Sequence, residues 1–347
     1  VILSRRHLTV LLNALYETDK RRVTVEHPCQ DVGELLRFDL DGPFDSPVRF
    51  SQSLAEYDAT RQATEQRHGA DAFDDLPDDS TYVRCLVASG VLELQNRDDV
   101  ERFVRRHGYR DLEAGHPPLV AGLDANIMPW RMGDVLGIDH RDGPRDDAGR
   151  APTNGYALAT GVKEELDWHY KQYQTASLVA AFGEEFERLD NQPAGANREG
   201  FLGLYEYRRL MADRNVDRVD CETGDEAIVE GYRRFDAESR KDVMLFSNDF
   251  GFIDLAEEVG VLAHHVDFPR SLPRSATATW DELGDLLYYL AVRFGVLRLP
   301  GVTIYGVWNG KDGRHWQGEE LVVEARSPKI EPLLERDKTI VEAFDAA

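Results

Sequence analysis

Four acids stand where strands end or helices begin. Asp124 follows the apolar run 119–123, in Leu-Asp-Ala-Asn-Ile. Glu165 lies in Gly-Val-Lys-Glu-Glu-Leu-Asp, early in a helical stretch. Asp225 follows Gly224 and opens another helix, and Asp249 ends Val-Met-Leu-Phe-Ser-Asn-Asp. Carboxylates brought together repel one another, and each resists ionising. A hard divalent cation relieves that repulsion; Mg²⁺ and Mn²⁺ take oxygen ligands and keep several waters. With no His or Cys in the set, Zn²⁺ is disfavoured. Such a cation lowers the pKa of water and offsets charge on a phosphoryl oxygen, so the expected chemistry is hydrolysis of a phosphodiester. Each acid also has a bland reading. The chain carries 64 acids in 347 residues. Asp225 and Asp249 read equally as helix caps, and Glu165 as a solvated charge.

The elements that must position these acids follow from the pattern. Apolar runs at 119–123, 216–219, 243–246 and 261–263 alternate with helical stretches near 162–187, 201–213, 225–237 and 251–259. That alternation implies a parallel sheet with crossover helices. Ligands of such sheets gather at the carboxyl ends of the strands, where Asp124 and Asp249 fall. The stretches 139–154 and 190–200 read as surface loops, and 65–80, polar and acid-rich, as an exposed connection.

Outside this region, Leu8, Leu11, Leu12 and Leu15 give a helical stripe, and 22–50 holds short extended segments broken by Asp-Gly-Pro and Ser-Pro. A helix over 80–89 stops at Gly90; another starts near Asn96, capped with help from Asp99, with Val100, Phe103 and Val104 inward. An apolar helix over 279–294 precedes two strands, 301–308 and 319–325, joined at Asn309–Gly313 as a hairpin, and a charged helix over 329–345. The expected division is 1–115, a mixed α+β accessory region; 116–295, a nuclease-like α/β domain; and 296–347, a hairpin-and-helix extension.

Taken in order, strand–Asp124-Ala125-Asn126, Val162-Lys163-Glu164-Glu165-Leu166, Gly224-Asp225-Glu226-Ala227-Ile228 and Leu245-Phe246-Ser247-Asn248-Asp249 resemble a PIN domain. The resemblance covers about 118–268 and is strongest over 243–266. It implies a three-layer α/β/α sandwich with a parallel central sheet and a metal-dependent endoribonuclease. It implies that Asp124, Glu165, Asp225 and Asp249 hold Mg²⁺ or Mn²⁺, with Asn126 and Ser247 as supporting groups and Asp254 as an outer acid. RNA is the implied substrate, with a protein partner or a second copy of the chain as further partners. Lys163, Lys171, Arg208 and Arg209 are candidates for the RNA backbone. The long insertion between Glu165 and Asp225 and both flanks depart from a minimal PIN domain.

Two other classes compete. A non-catalytic PIN-fold module would use the sheet as a binding scaffold for RNA or protein. A Mg²⁺-dependent phosphatase resembling the haloacid dehalogenases needs Asp-x-Asp after the first strand, and Asn126 occupies the second position. No GxGxxG after a strand, GxxxxGK[ST] or GxSxG is present. Tyr305, Trp308, Lys311, Arg314, His315 and Trp316 interleave aromatic and basic groups, as base-stacking surfaces do; a packed hairpin explains them as well.

Net charge is -23, yet only 7 of the 41 basic residues are Lys. Abundant acid with scarce Lys reads as a surface adapted to molar salt, so the acidity describes the solvent and not the partner. Cys29, Cys85 and Cys221 lie far apart, without CxxC or zinc-type spacing, and imply reduced thiols in a cytoplasmic protein. His264-His265 falls in a strand, one ring to each side, which disfavours a shared metal. The first residues, VILSRRHLTVLLNAL, lack the pattern of a secretory leader, and no apolar run approaches the roughly 20 residues of a membrane helix.

Overall fold

In the computed structural model, residues 1–167 and 175–345 are described. The chain divides into two compact units. One comprises Val1–Leu92, Lys171–Arg198 and Arg270–Ala347; the other comprises Glu93–Tyr170 and Glu199–Pro269.

The second unit is α/β. Helix α1 (Arg97–His107) precedes strand β1 (Leu119–Leu123), then β2 (Gly155–Ala159) and α2 (Thr160–Asp167). Helix α3 (Asn197–Asp213), in whose first turn the chain passes into this unit, leads to β3 (Val216–Val219) and α4 (Asp225–Ser239). Strand β4 (Asp242–Ser247), helix α5 (Phe250–Glu258) and β5 (Leu262–His265) complete it. All four pairings are parallel, in the order β3-β2-β1-β4-β5. The order reverses between β1 and β4, so the switch point lies at the carboxyl ends of these two strands. Every residue of β1 and β2 is buried, as in a sheet covered on both faces. Strand β2 is absent from the sequence reading: Tyr-Ala-Leu-Ala is too short a run to separate from the helix that follows it.

Close packing fixes the helices on this sheet. A Cβ on Gly122 would lie 3.0 Å from the Tyr232 ring, so glycine lets α4 approach β1. The Tyr232 hydroxyl donates to Ala157 O at 2.9 Å and accepts from Ala159 N–H at 3.2 Å. That one side chain sets the register of α4, which carries Asp225.

The first unit holds an eight-stranded antiparallel sheet, in the order 2–4, 320–325, 302–305, 296–299, 22–26, 34–39, 46–50, 275–278. Strands from both chain ends share it, which explains why compact units do not follow the expected breaks at 115 and 295. Its core helix, Trp280–Phe294, starts in a capping box between Thr279 and Glu282. Helix Thr9–Glu17 buries Leu11, Leu12 and Leu15 as the stripe predicts.

Three expectations are corrected here. The stretch 65–80 is not an open connection: helices Leu54–His68, Ala70–Asp75 and Asp79–Ala88 cross it. The first buries only Leu54, Tyr57, Arg61 and Thr64, two of them polar, which hides its periodicity. Asn96 does not cap α1 with its side chain; its Nδ2 donates to His265 O and its Oδ1 accepts from Asp267 N–H. Strands 302–305 and 320–325 do pair, but a short helix, Gly313–Gln317, replaces the tight turn. Trp316 and Lys311 are buried there. Lys311 Nζ donates to Gly306 O at 2.6 Å and lies 4.1 Å from the Trp316 ring centre. These groups serve packing, not an open stacking face.

Among the described residues no helix is long and apolar enough to cross a membrane.

Candidate active site

Register places the site's centre. Leu123 lies beside Phe246 in the β1–β4 ladder, so the next residues, Asp124 and Ser247, meet at the switch point. Asp124 N–H donates to Phe246 O at 3.1 Å, which continues the ladder by one residue. Ser247 Oγ donates to Asp124 Oδ2 at 2.6 Å. The same oxygen accepts from Asn126 Nδ2 at 3.1 Å and from Asp249 N–H at 2.9 Å. One donor and two acceptor positions are thus all used. Asn126 Oδ1 accepts from Asn248 N–H at 3.2 Å. Asn126 and Ser247 therefore form one network with Asp124, and Asn126 spends both ends of its amide on it.

Asp124 is only 6 % exposed. Burial raises its carboxyl to about 6; hydrogen bonds from Ser247 and Ala125 oppose that rise, and the charges of Asp225 and Glu165 add to it. Asp225 is raised as well, by burial first and then by Asp249. Asp124 thus feels the charges of Asp225 and Glu165, and Asp225 that of Asp249.

Their attachments differ. Glu165 lies between Val162 and Leu166, both buried by α2. Gly161 lies so close to Glu222 that a Cβ would stand 2.2 Å from its carbonyl oxygen. This approach lets Glu165 Oε1 accept from Gly224 N–H at 2.8 Å. Thr160 Oγ1 donates to Cys221 O at 2.9 Å and holds the same loop. Asp225 is the first residue of α4, but Gly224 occupies the cap position; the Asp225 carboxylate makes no hydrogen bond or ion pair with the described residues. Asp249 does cap α5, Oδ1 accepting from Gly251 N–H at 2.7 Å. Glu165 and Asp249 each keep their second oxygen free of hydrogen bonds to the described residues. Asp254 is exposed on α5 and takes no part in the network.

The donor set is oxygen only, and the charged neighbours acting on Asp124 and Asp225 are carboxylates. This fits a hard divalent cation such as Mg²⁺ or Mn²⁺. The acids do not form a closed shell. Among the described residues, the set of three or more Cys, His, Asp and Glu groups with all ligand atoms within 4.8 Å is Cys29, Asp31 and His68, in the other unit. A cation that keeps several waters does not require closer acids.

Of the basic candidates, Arg209 is committed to Glu206 through two bonds of 2.7 Å. Lys163 pairs with Asp167 at 3.3 Å, and Arg208 lies over Tyr205, 5.0 Å from its ring centre. Lys171 lies outside the described residues.

Sequence reasoning missed Phe250. Its ring is 62 % exposed and stacks on His265 at 3.7 Å and 8°. Nε2 of His265 donates to Asn248 O at 3.1 Å, which fixes the platform beside Asp249. Position alone gave no signal, since Leu54, which directly follows the capping Ser53, is buried. His264 stacks instead on Phe103, so the two rings of the doublet have different partners.

Comparison of the chain with protein-family models, with curated proteins and with solved structures finds no match.

Proposed function

We propose that the α/β unit is a PIN-type, metal-dependent endoribonuclease that hydrolyses RNA phosphodiesters at Asp124, Glu165, Asp225 and Asp249. The observation that carries this reading is a buried Asp124 at the switch point of a parallel sheet, its carboxyl raised by burial and then by the charges of Asp225 and Glu165, with Asp225 raised in turn by burial and by Asp249.

Bound Mg²⁺ or Mn²⁺ would supply charge compensation for the phosphate oxygens and a more acidic water. The chain's own groups do the positioning. Ser247 and Ala125 N–H hold Asp124 in one orientation. Gly224 N–H and Gly251 N–H each take one oxygen of Glu165 and Asp249, leaving the other for a cation or water. Asp225 has no hydrogen-bond or ion-pair partner among the described residues to give up. Phe250 offers a ring face to an unstacked base next to the scissile region, and stacking of this kind serves single-stranded RNA without reading its sequence. Stacking also survives high salt, which removes much of the affinity gained from phosphate contacts.

The test is cleavage of internally labelled RNA in high KCl with Mn²⁺, Mg²⁺ or EDTA, using wild type and Asp225→Asn. Internal cuts that need metal and vanish in the variant support the reading. Stoichiometric Mn²⁺ binding without any cut would favour the binding-module alternative. Release of phosphate from simple monoesters would favour the phosphatase.

A further inference from the structure

We propose that Cys29, Asp31 and His68 form a Zn²⁺ site in the antiparallel unit. Three different ligand types meet there, two from one loop and one from the end of a helix distant in sequence, with their ligand atoms all within 4.8 Å of one another.

The loop that presents two of them is closed on itself. His27 N–H donates to Gly33 O at 2.9 Å, Gly33 N–H donates to Cys29 O at 2.9 Å, and Cys29 N–H donates to His27 Nδ1 at 3.1 Å. Gly33 makes the turn at φ +58°. Cys29 and Asp31, two residues apart, are therefore held before any ion arrives. His68 is the last residue of helix Leu54–His68, and Gly69 ends that helix at φ +91°.

The His68–Asp31 separation suits a tetrahedral ion better than a hydrogen bond. His68 Nε2 and Asp31 Oδ2 are 3.4 Å apart, beyond the usual range for N–H···O. Metal bonds of about 2.0–2.2 Å to nitrogen and oxygen at a tetrahedral angle separate such atoms by about 3.3–3.5 Å. The other Asp31 oxygen pairs with Arg67, the outer partner that orients a ligating carboxylate. Cys29 is buried, whereas the Asp31 and His68 side chains are 14 % and 23 % exposed. The thiol thus forms the floor of the site, and solvent reaches it from the Asp31–His68 side.

Thiolate and imidazole select Zn²⁺ over Mg²⁺ and Mn²⁺. Binding releases the Cys29 thiol proton to solvent and uses His68 in its neutral form. Three protein ligands leave a fourth position for water or another small donor. The ion joins loop 27–33 to the end of helix Leu54–His68, so binding stabilises the folded chain by mass action.

The test uses the full chain, freed of metal with a chelator and titrated with Co²⁺ and then Zn²⁺. One equivalent of Co²⁺ is expected to give a thiolate-to-cobalt charge-transfer band and strong tetrahedral d–d bands. Zn²⁺ abolishes both and raises Tm, whereas excess Mg²⁺ does neither. Cys29→Ser loses the charge-transfer band. Asp31→Asn and His68→Ala, both on the accessible side, weaken binding by about tenfold or more and carry the test if Cys29→Ser fails to fold. Asp124→Asn leaves the spectrum unchanged, which separates this site from the acid cluster. A Co²⁺ spectrum without a thiolate band, or a Co²⁺ affinity unchanged in Asp31→Asn and His68→Ala, overturns the proposal.

Discussion

Ser247 Oγ donates to Asp124 Oδ2 at 2.6 Å across the point where the strand order of the parallel sheet reverses. The bond couples the carboxyl ends of two strands far apart in sequence, and the same hydroxyl accepts from Asn126 and from Asp249 N–H.

Removing that hydroxyl should cost more than one contact. Ser247→Ala leaves the Asn126 amide and Asp249 N–H without their acceptor and frees Asp124 to turn. A stability loss of about 1–3 kcal/mol is expected from the unpaired polar groups, read by urea denaturation. Mn²⁺ affinity should fall in the same variant. Unchanged stability and unchanged Mn²⁺ binding would show that the network positions nothing.

Asp124 gives the stability curve an unusual sign. Its folded carboxyl is raised to about 6 from 3.8. Between those values the folded state holds a proton that the unfolded state has released, so stability falls as pH rises. The penalty is complete above about pH 6 and amounts to about 3 kcal/mol. Metal-free Asp124→Asn should therefore be more stable than wild type above pH 6, the difference shrinking as pH drops towards 4. Saturating Mn²⁺ should reverse the order, since the cation binds the ionised wild-type site. A stability difference that does not change with pH would contradict this.

Phe250 should act on binding and not on chemistry. Phe250→Ala is expected to raise KM for single-stranded RNA by about 5- to 150-fold, the equivalent of about 1–3 kcal/mol for one stacked base, with kcat nearly unchanged. Phe250→Tyr keeps the ring and should keep KM. Equal losses in both variants would point to α5 packing instead.

The antiparallel unit rests on a buried ion pair. Arg198 Nη2 donates to Asp75 Oδ1 at 2.8 Å, with both side chains at most 1 % exposed. Asp75 Oδ1 also accepts from Gly195 N–H. Asp75→Ala removes the counter-charge of a buried guanidinium that also donates to Pro193 O and Arg293 O and should cost about 3–5 kcal/mol, visible as a lower urea midpoint. A loss under about 1 kcal/mol would mean that the carbonyl acceptors Pro193 O and Arg293 O suffice to hold Arg198.

How much of this was legible in sequence depended on how local each signal is. Strand β1 and the segment 243–246 of β4 are uniform apolar runs with acids just beyond them, so Asp124 and Asp249 stand out. Helix Trp280–Phe294 carries an unbroken apolar face and a capping box, and its expected span, 279–294, differs only at the cap. Strand β2 was hidden because four apolar residues next to a helix have no period of their own. The eight-stranded sheet was hidden because its pairings join residues 2–4 to 320–325, and nothing in either segment names the other. Cys29, Asp31 and His68 were hidden for the same reason: only the loop closure at Gly33 and the end of a polar helix bring them together. Asn96 matched a cap by type, yet tertiary contacts at His265 and Asp267 took its side chain.

The most direct measurement compares end-labelled RNA cleavage by wild type and Asp124→Asn under single-turnover conditions, in high KCl with Mn²⁺. Both proteins are first shown to be folded by near-ultraviolet circular dichroism. The predicted result is internal cutting by wild type that EDTA abolishes, and a loss of at least about 100-fold in the variant. Full cutting by folded Asp124→Asn would contradict a nuclease centre at the β1–β4 switch point.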